Sequence, residues 1–470
     1  MSIVSSSFLF LFLPLSVLLY YLIPAGKNLF YRNLFLVAVS LFFYAWGEPH
    51  YVFLLLILML FVYVAGKRID GKQKTVFAKI IIFITAALGI GIIVFLRRSE
   101  GTPLGMSFFV FFAVSYVVDI YRGKCKSPRR FSDAALYLSA FFKVTQGPII
   151  EYSQFQSQTE NRCADRDMIY RGVKRFLVGL AKKALIASNF GGIAIWIYPD
   201  GIREATVVNA WIGCLVCLVN TYIDFSAYSD MACGMALLFG FRLPENFNYP
   251  YLARSVTEYW QRWHITLIQW FKDYLYYPIT LGPSVRFRKF LLKHGVKKKT
   301  AKKLQNIFVP ACVWIPTALW HGTNLNYILW GVLNCLACIL EMNRKSSQRT
   351  GARNIGGRIY TILFLMLTAP LLLFDSMGTT LDYYGTMFGI GRHVFVDGTT
   401  LFLLKEYGAF IVIGLILCFP VWKKTTDYLR RKLGERVVRV GEDTVLLVLT
   451  VVSIAFVIKT GSSFFIYQMY

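Results

Sequence analysis

Apolar residues along this chain fall into runs close to the length, about 20 residues, that a helix needs to cross a bilayer core. The runs cover residues 7–24, 33–46, 50–65, 78–96, 104–120, 134–150, 173–198, 205–224, 229–241, 305–320, 325–341, 359–374, 407–421 and 444–467. Short basic loops separate them. The pattern predicts an all-α polytopic membrane protein with about 11–13 membrane-crossing segments plus a re-entrant piece. It predicts one integral domain over 1–470, with N-terminal helices in 1–130, a core in 134–342 and C-terminal helices in 359–470. No internal repeat is visible, so inverted-repeat transporter symmetry finds no support.

The basic residues give the expected orientation. Lys27/Arg32, Lys67 to Lys74 and Arg122 to Arg130 fall on one side if each run crosses once. By the positive-inside rule that side is cytoplasmic and the N-terminus is outside. The weakly positive Arg97-Arg98-Ser99-Glu100 falls on the outer side as an exception. Run 7–24 has no basic segment before it and no small-residue cleavage site after it, so it reads as a retained helix.

Four stretches carry polar groups within or between the apolar runs. Lys143, Gln146, Gly147 and Pro148 interrupt 134–150, which reads as a broken or re-entrant helix satisfied by surrounding protein. Two serines and two tyrosines accompany two carboxylates in Thr221-Tyr222-Ile223-Asp224-Phe225-Ser226-Ala227-Tyr228-Ser229-Asp230, between what read as separate apolar segments. Lys182-Lys183 reads as an inner-interface pair. In Glu258-Tyr259-Trp260-Gln261-Arg262-Trp263-His264, Glu258 and Arg262 are spaced to pair on a helix. The same spacing puts Trp260, Trp263 and His264 on one helical face.

Trp320-His321-Gly322 lies between apolar runs, at a turn between two helices or just below the outer surface. An ionisable side chain at membrane depth is costly and its default reading is functional. Imidazole adds a reason, because its ordinary pKa of roughly 6.5 suits proton transfer near neutrality. Trp320 and Asn324 flank it.

Composition narrows the field. The net charge of +26 would suggest nucleic acid in a soluble protein, but the basic residues sit in loops of a chain that is 56% hydrophobic. The basic stretch 286–303 reads as a cytoplasmic loop that touches anionic lipid or attracts an anionic, phosphate-bearing donor. Of the nine cysteines, Cys214/Cys217 and Cys335/Cys338 have CxxC spacing. Both pairs lie inside apolar runs with no partner ligands nearby, where cysteine acts as a small hydrophobe, so no metal site is expected.

Taken together, Tyr222 to Asp230, Glu245-Asn246-Phe247, Arg262-Trp263-His264-Ile265-Thr266 and Leu319-Trp320-His321-Gly322 resemble the membrane-bound O-acyltransferases. Phe8 to Pro14, Phe43-Tyr44-Ala45-Trp46, Gly105-Met106-Ser107-Phe108 and Asp119-Ile120-Tyr121-Arg122-Gly123 resemble the bacterial alginate O-acetylase branch. Gln261, Ala227 and Lys143 depart from it, standing where that branch usually has arginine, glycine and proline.

The resemblance implies a helical bundle around a central tunnel, with a thioester donor arriving from the cytoplasm and the acceptor from the other side. It implies that His321 is the catalytic residue and His264 a second catalytic group. Asp224, Ser226, Tyr228, Asp230, Glu258, Arg262, Trp263, Trp320 and Asn324 become candidates for lining a substrate channel. The expected reaction is acetyl transfer from acetyl-CoA to a hydroxyl of an extracytoplasmic polysaccharide or partner protein at the bacterial inner membrane. No bound cofactor and no nucleic acid enter this reading. D-alanyl transfer from a carrier-protein thioester to teichoic acid is the nearer alternative. A transporter or channel for the polymer or acyl group, with His321 relaying protons, is the alternative from another class.

Overall fold

The computed structural model describes residues 2–24, 29–99, 105–190, 205–342, 352–391 and 393–460. The inter-run stretch around Glu100, the end of run 173–198, the basic residues Arg344, Lys345 and Arg349, and the end of run 444–467 lie outside the described residues. The described chain is all-α. Among the described residues, eight helices are long and apolar enough to cross a membrane, and Phe8–Leu22 and Met106–Tyr121 are shorter apolar helices. The chain is a multi-pass membrane protein.

Two compact units share the chain. The first comprises Met1–Ala181, Ala227–Glu245 and Asp443–Met469. Its helices are α1 (Phe8–Leu22), α2 (Phe30–Gly47), α3 (Val52–Ile69), α4 (Val76–Ser99), α5 (Met106–Tyr121), α6 (Phe131–Ser139), α7 (Tyr152–Glu160) and α8 (Arg166–Ala181). Helix α9 (Val207–Leu238) contributes its second half. Sequence patterning divides α9 into two apolar segments; the structure makes it one helix of 32 residues. Its polar middle does not end it because those side chains find partners inside the protein, so no break is required.

Close packing of α8 on the second half of α9 depends on glycine. A Cβ on Gly179 would stand 2.6 Å from the Ala227 carbonyl oxygen, and one on Gly234 would stand 2.6 Å from the Phe176 nitrogen. Small residues let helix backbones approach in this way where lipid offers no hydrophobic drive.

The interrupted 134–150 run ends its helix at Ser139 and continues as buried turns. The break expected from Gln146-Gly147-Pro148 is therefore observed. Lys143 is 0% exposed. Its Nζ stands 3.1 Å from the Phe112 ring centroid, 4.6 Å from that of Tyr137 and 5.6 Å from that of Phe155. Aromatic faces attract a cation, and they surround this amine where a carboxylate would otherwise be needed.

The second unit comprises Lys182–Ser226 and Asn246–Glu442. It holds the first half of α9, then α10 (Val256–Arg262), α11 (Ile265–Phe271), α12 (Pro283–Lys293), α13 (Lys298–His321) and α14 (Leu325–Met342). After these come α15 (Ala352–Thr368), α16 (Met377–Met387), α17 (Gly398–Leu417) and α18 (Val421–Leu433), and α19 (Glu435–Thr460) begins here. The basic stretch 286–303 is a helical hairpin rather than a loop. Arg286, Lys289 and Lys293 lie on α12, and Lys298, Lys299, Lys302 and Lys303 open α13, all exposed. Phe287 stacks on Phe308 with centroids 4.7 Å apart, closing the hairpin. Beside the cations, Val285, Phe290, Leu292 and Leu304 of the hairpin are also exposed.

Candidate active site

His321 is the last residue of α13. The turn that follows is set by Gly322. Its φ is 170°, which any residue adopts, so the need for glycine is steric. A Cβ there would collide with the ring of Tyr327. Asn324 then accepts from the Tyr327 N–H at 3.0 Å and closes the first turn of α14. The Trp-His-Gly run thus places an imidazole at a helix end and reverses the chain immediately after it.

Aromatic rings hold that imidazole. Trp320 lies 4.8 Å away, Trp330 4.9 Å in an edge-to-face arrangement, and Tyr327 6.3 Å. Trp330 in turn packs against Trp260 and Trp314. Trp260 donates from Nε1 to Asn334 Oδ1 at 3.0 Å. A Gly322→Ala substitution is expected to lower the thermal midpoint of detergent-purified protein by an amount equivalent to about 1–3 kcal/mol, the usual cost of overpacking. An unchanged midpoint would show that Tyr327 moves aside freely.

His264 is built differently. Helix α10 starts at the Ser255 cap, whose hydroxyl accepts from Glu258 N at 3.1 Å. Glu341 of α14 accepts from the N–H groups of Val256 and Thr257, both at 2.8 Å. The helix stops at Arg262: Trp263 is extended at φ −102°, ψ 130°, and His264 is left-handed at φ 44°, ψ 50°. The helical face expected to carry Trp260, Trp263 and His264 together therefore does not exist. Trp260 joins the tryptophans around His321, whereas Trp263 packs on Phe247 at 5.1 Å and stacks on Tyr259 at 5.6 Å. The reason is the pairing of this break with the 246–248 segment. Asn248 N–H donates to Arg262 O at 3.0 Å, and Ile265 N–H donates to Asn246 O at 2.9 Å.

The His264 side chain is 1% exposed. Nδ1 lies 3.0 Å from Asn246 Oδ1, and the Phe225 ring lies 4.8 Å from the imidazole. Burial pushes the imidazole down to about 3, and the positive charge available on His321 adds to that. His321 is thus near enough to act electrostatically on His264. The two histidines, 57 positions apart in the chain, belong to one neighbourhood of one unit.

The other candidates have defined places. Asp224 accepts from Lys183 Nζ at 2.7 Å, with side-chain exposures of 2% and 4%. Lys183 is therefore an interior residue, not the interface residue its doublet with Lys182 suggested. Its carboxylate partner lies 41 residues away, beyond the reach of local pattern. Ser226 is buried and donates to Ile223 O at 3.2 Å. Glu258 and Arg262 pair at 3.0 Å as their spacing predicts, and Arg254 joins them at 3.0 Å. Tyr228 and Asp230 belong to the other unit. Tyr228 hydrogen-bonds Thr145, and Asp230 accepts from Arg175 Nε at 3.1 Å. The structure brings His264, Trp263, His321 and Trp320 into one unit with Asp224 and Ser226. Tyr228 and Asp230 are engaged elsewhere. Sequence reasoning missed Asn246 as the partner of His264, and Lys183, Trp330 and Tyr327 as partners of named candidates. Asn246 stood in the quoted Glu245-Asn246-Phe247 motif, which was the available signal.

A buried histidine and a half-buried one share one unit of a multi-pass helical membrane protein. Residues 127–377 match the family model described as MBOAT, membrane-bound O-acyltransferase family. The chain is 32% identical over 399 residues to the probable alginate O-acetylase AlgI of Pseudomonas fluorescens, covering 83% of this chain and 76% of that protein. It is 29% identical over 390 residues to the peptidoglycan O-acetyltransferase of Helicobacter pylori, covering 73% and 70%. Over 241 residues it is 25% identical to the teichoic acid D-alanyltransferase of Bacillus subtilis, covering 50% and 57%. The chain belongs to the membrane-bound O-acyltransferase family and is an acyltransferase.

Proposed function

We propose that this enzyme transfers an acetyl group from cytoplasmic acetyl-CoA to a hydroxyl of an extracytoplasmic polysaccharide or of an acetyl-accepting partner protein. The whole chain works as one integral acyltransferase domain of the bacterial inner membrane, with its N-terminus outside and its basic loops in the cytoplasm. The observation that carries the reading is the likeness to an O-acetylase over 83% of this chain, with His321 and the buried His264 in one unit. Such a pair can handle one proton and one reacting oxygen together.

In the proposed step His321 takes the proton of the acceptor hydroxyl as its oxygen attacks the thioester carbonyl carbon. The C–O bond forms, a tetrahedral oxyanion develops, and its collapse breaks the C–S bond. The thiolate of CoA leaves and takes the proton from His321, so the enzyme returns to its starting state. No bound cofactor is required. Trp320 and Trp263 stand beside the histidines and wall the path of the acyl group. Asp224, Asp230, Glu258 and Arg262 serve it by fixing helices through their ion pairs, Ser226 and Tyr228 by packing, and Asn324 by capping α14. The exposed cations of the α12–α13 hairpin raise the local concentration of an anionic donor.

The acetyl reading is favoured over D-alanyl transfer by the extent of likeness: 83% of this chain aligns with an O-acetylase and 50% with a D-alanyltransferase. Purified protein in detergent, with no gradient to drive transport, separates the readings. Release of CoA from acetyl-CoA together with esterification of an added oligosaccharide supports acetyl transfer and excludes a pure channel. Transfer from a D-alanyl carrier protein alone would overturn it.

A further inference from the structure

The Asn246 carboxamide fixes which nitrogen of His264 carries the proton. One atom of that carboxamide lies 3.4 Å from the backbone N–H of Thr266, 2.9 Å from the Thr266 hydroxyl and 3.0 Å from His264 Nδ1. A backbone N–H only donates, so the atom it addresses is the oxygen. That oxygen only accepts, so Nδ1 must donate to it. A neutral imidazole has one N–H, which leaves the lone pair on Nε2.

Two further observations say that this arrangement is built. The backbone of His264 sits at φ 44°, a left-handed conformation that is disfavoured for a non-glycine residue and persists where the surroundings impose it. The Ile265 to Asn246 and Asn248 to Arg262 backbone bonds impose it here. The ring is also enclosed. Phe225 of α9 offers an apolar ring, Arg262 is engaged with Glu258, and His321 is a titratable neighbour.

We propose that Asn246 is a positioning residue that locks His264 in its Nδ1–H tautomer, so that His264 presents Nε2 as a hydrogen-bond acceptor. The inference rests on the acyl-transfer reading above and refines it. A neutral imidazole of this tautomer has no proton at Nε2 to give to a thioester oxyanion. It can accept from a second O–H of the acceptor, leaving the reacting O–H to His321. His264 therefore belongs with acceptor binding, and acceptors must carry a donatable hydrogen beside the reacting hydroxyl. Burial, which disfavours the imidazolium, keeps Nε2 available across the physiological range.

Three measurements test it. In protein labelled with 15N-histidine, with His264→Gln used to assign the signal, His264 should show a protonated Nδ1 and an unprotonated Nε2. A proton on Nε2 overturns the proposal whatever the activity. Asn246→Asp keeps an acceptor for Nδ1–H and adds a negative charge that favours the imidazolium. The folded pKa of His264 then rises, the neutral form is lost at a higher pH, and the acidic limb of the pH–rate profile should move up by about 1–3 units. A superimposable profile overturns the proposal. Asn246→Leu removes the acceptor and should lower kcat/KM for the oligosaccharide about 10–100-fold, the usual effect of losing such a partner. The KM for acetyl-CoA should hold. Equal losses toward both substrates in folded protein would indicate a merely structural role. Should the leucine variant fail to fold, the near-isosteric aspartate variant carries the kinetic test. Absence of acyl transfer by the unmodified protein would instead sink the underlying reading, and the tautomer measurement would still stand.

Discussion

His321→Ala lowers turnover by about 10²–10⁴-fold, the typical worth of general-base catalysis, while the protein still inserts and folds. Two features make this expectation specific. His321 is half-buried at the end of α13, so its removal takes little apolar surface from the interior. Its neighbours Trp330, Trp320 and Tyr327 are each anchored by contacts of their own or by the α13–α14 turn. The loss should therefore appear in chemistry and not in stability. The check is acetyl transfer by wild-type and variant protein expressed to the same level, beside their thermal midpoints in detergent. A variant that retains wild-type turnover would remove the base role from His321. His321→Gln, which keeps much of the volume and hydrogen-bonding capacity, should be about as inactive, because an amide does not take up a proton near neutrality.

The second large effect concerns stability. Asp224→Ala is expected to destabilise the protein by about 3–5 kcal/mol, the usual cost of breaking a buried ion pair from one side. The Lys183 ammonium is 4% exposed and would keep its burial while losing its carboxylate at 2.7 Å. Replacing both partners, Lys183→Met with Asp224→Leu, should recover much of the loss, because a well-packed apolar pair carries no desolvation penalty. Thermal unfolding in detergent and yield from the membrane fraction read both outcomes. If Asp224→Ala unfolds at the wild-type temperature, the pair contributes little and Asp224 becomes free for a role at substrate.

These two expectations draw on different kinds of information. His321 was singled out by local pattern, because an imidazole between two apolar runs is conspicuous in one dimension. Lys183 and Asp224 were both visible as charges in apolar surroundings, but nothing in the sequence paired them across 41 residues. The same holds for Glu341, which caps α10 from α14, and for Asn334, which holds the indole of Trp260.

The broken segment after Ser139 was legible because Gln146-Gly147-Pro148 is incompatible with a continuing helix. The continuity of α9 was not. Asp224 to Asp230 looks like a polar interruption until its partners are known, and those partners come from elsewhere: Lys183, Thr145 and Arg175. The helical spacing of Trp260, Trp263 and His264 misled for a related reason. Periodicity assumes that the helix goes on, and this one is ended by backbone bonds to a segment 14 to 19 residues earlier in the chain.

By itself the sequence determined that this chain is a helical membrane protein, because apolar runs of bilayer length leave the backbone no other way to satisfy its hydrogen bonds. It also determined which side chains are chemically out of place there, and through its motifs the family to which they point. Only the tertiary structure decided which of those side chains meet. It seats His264 on Asn246, sets His321 against Trp330 and within electrostatic reach of His264, and commits Asp224 to Lys183. The physical reason is range. Helix formation and membrane insertion are read over a few to about twenty consecutive residues. Ion pairs, tautomers and aromatic enclosures depend on groups that the chain brings together only once it has folded.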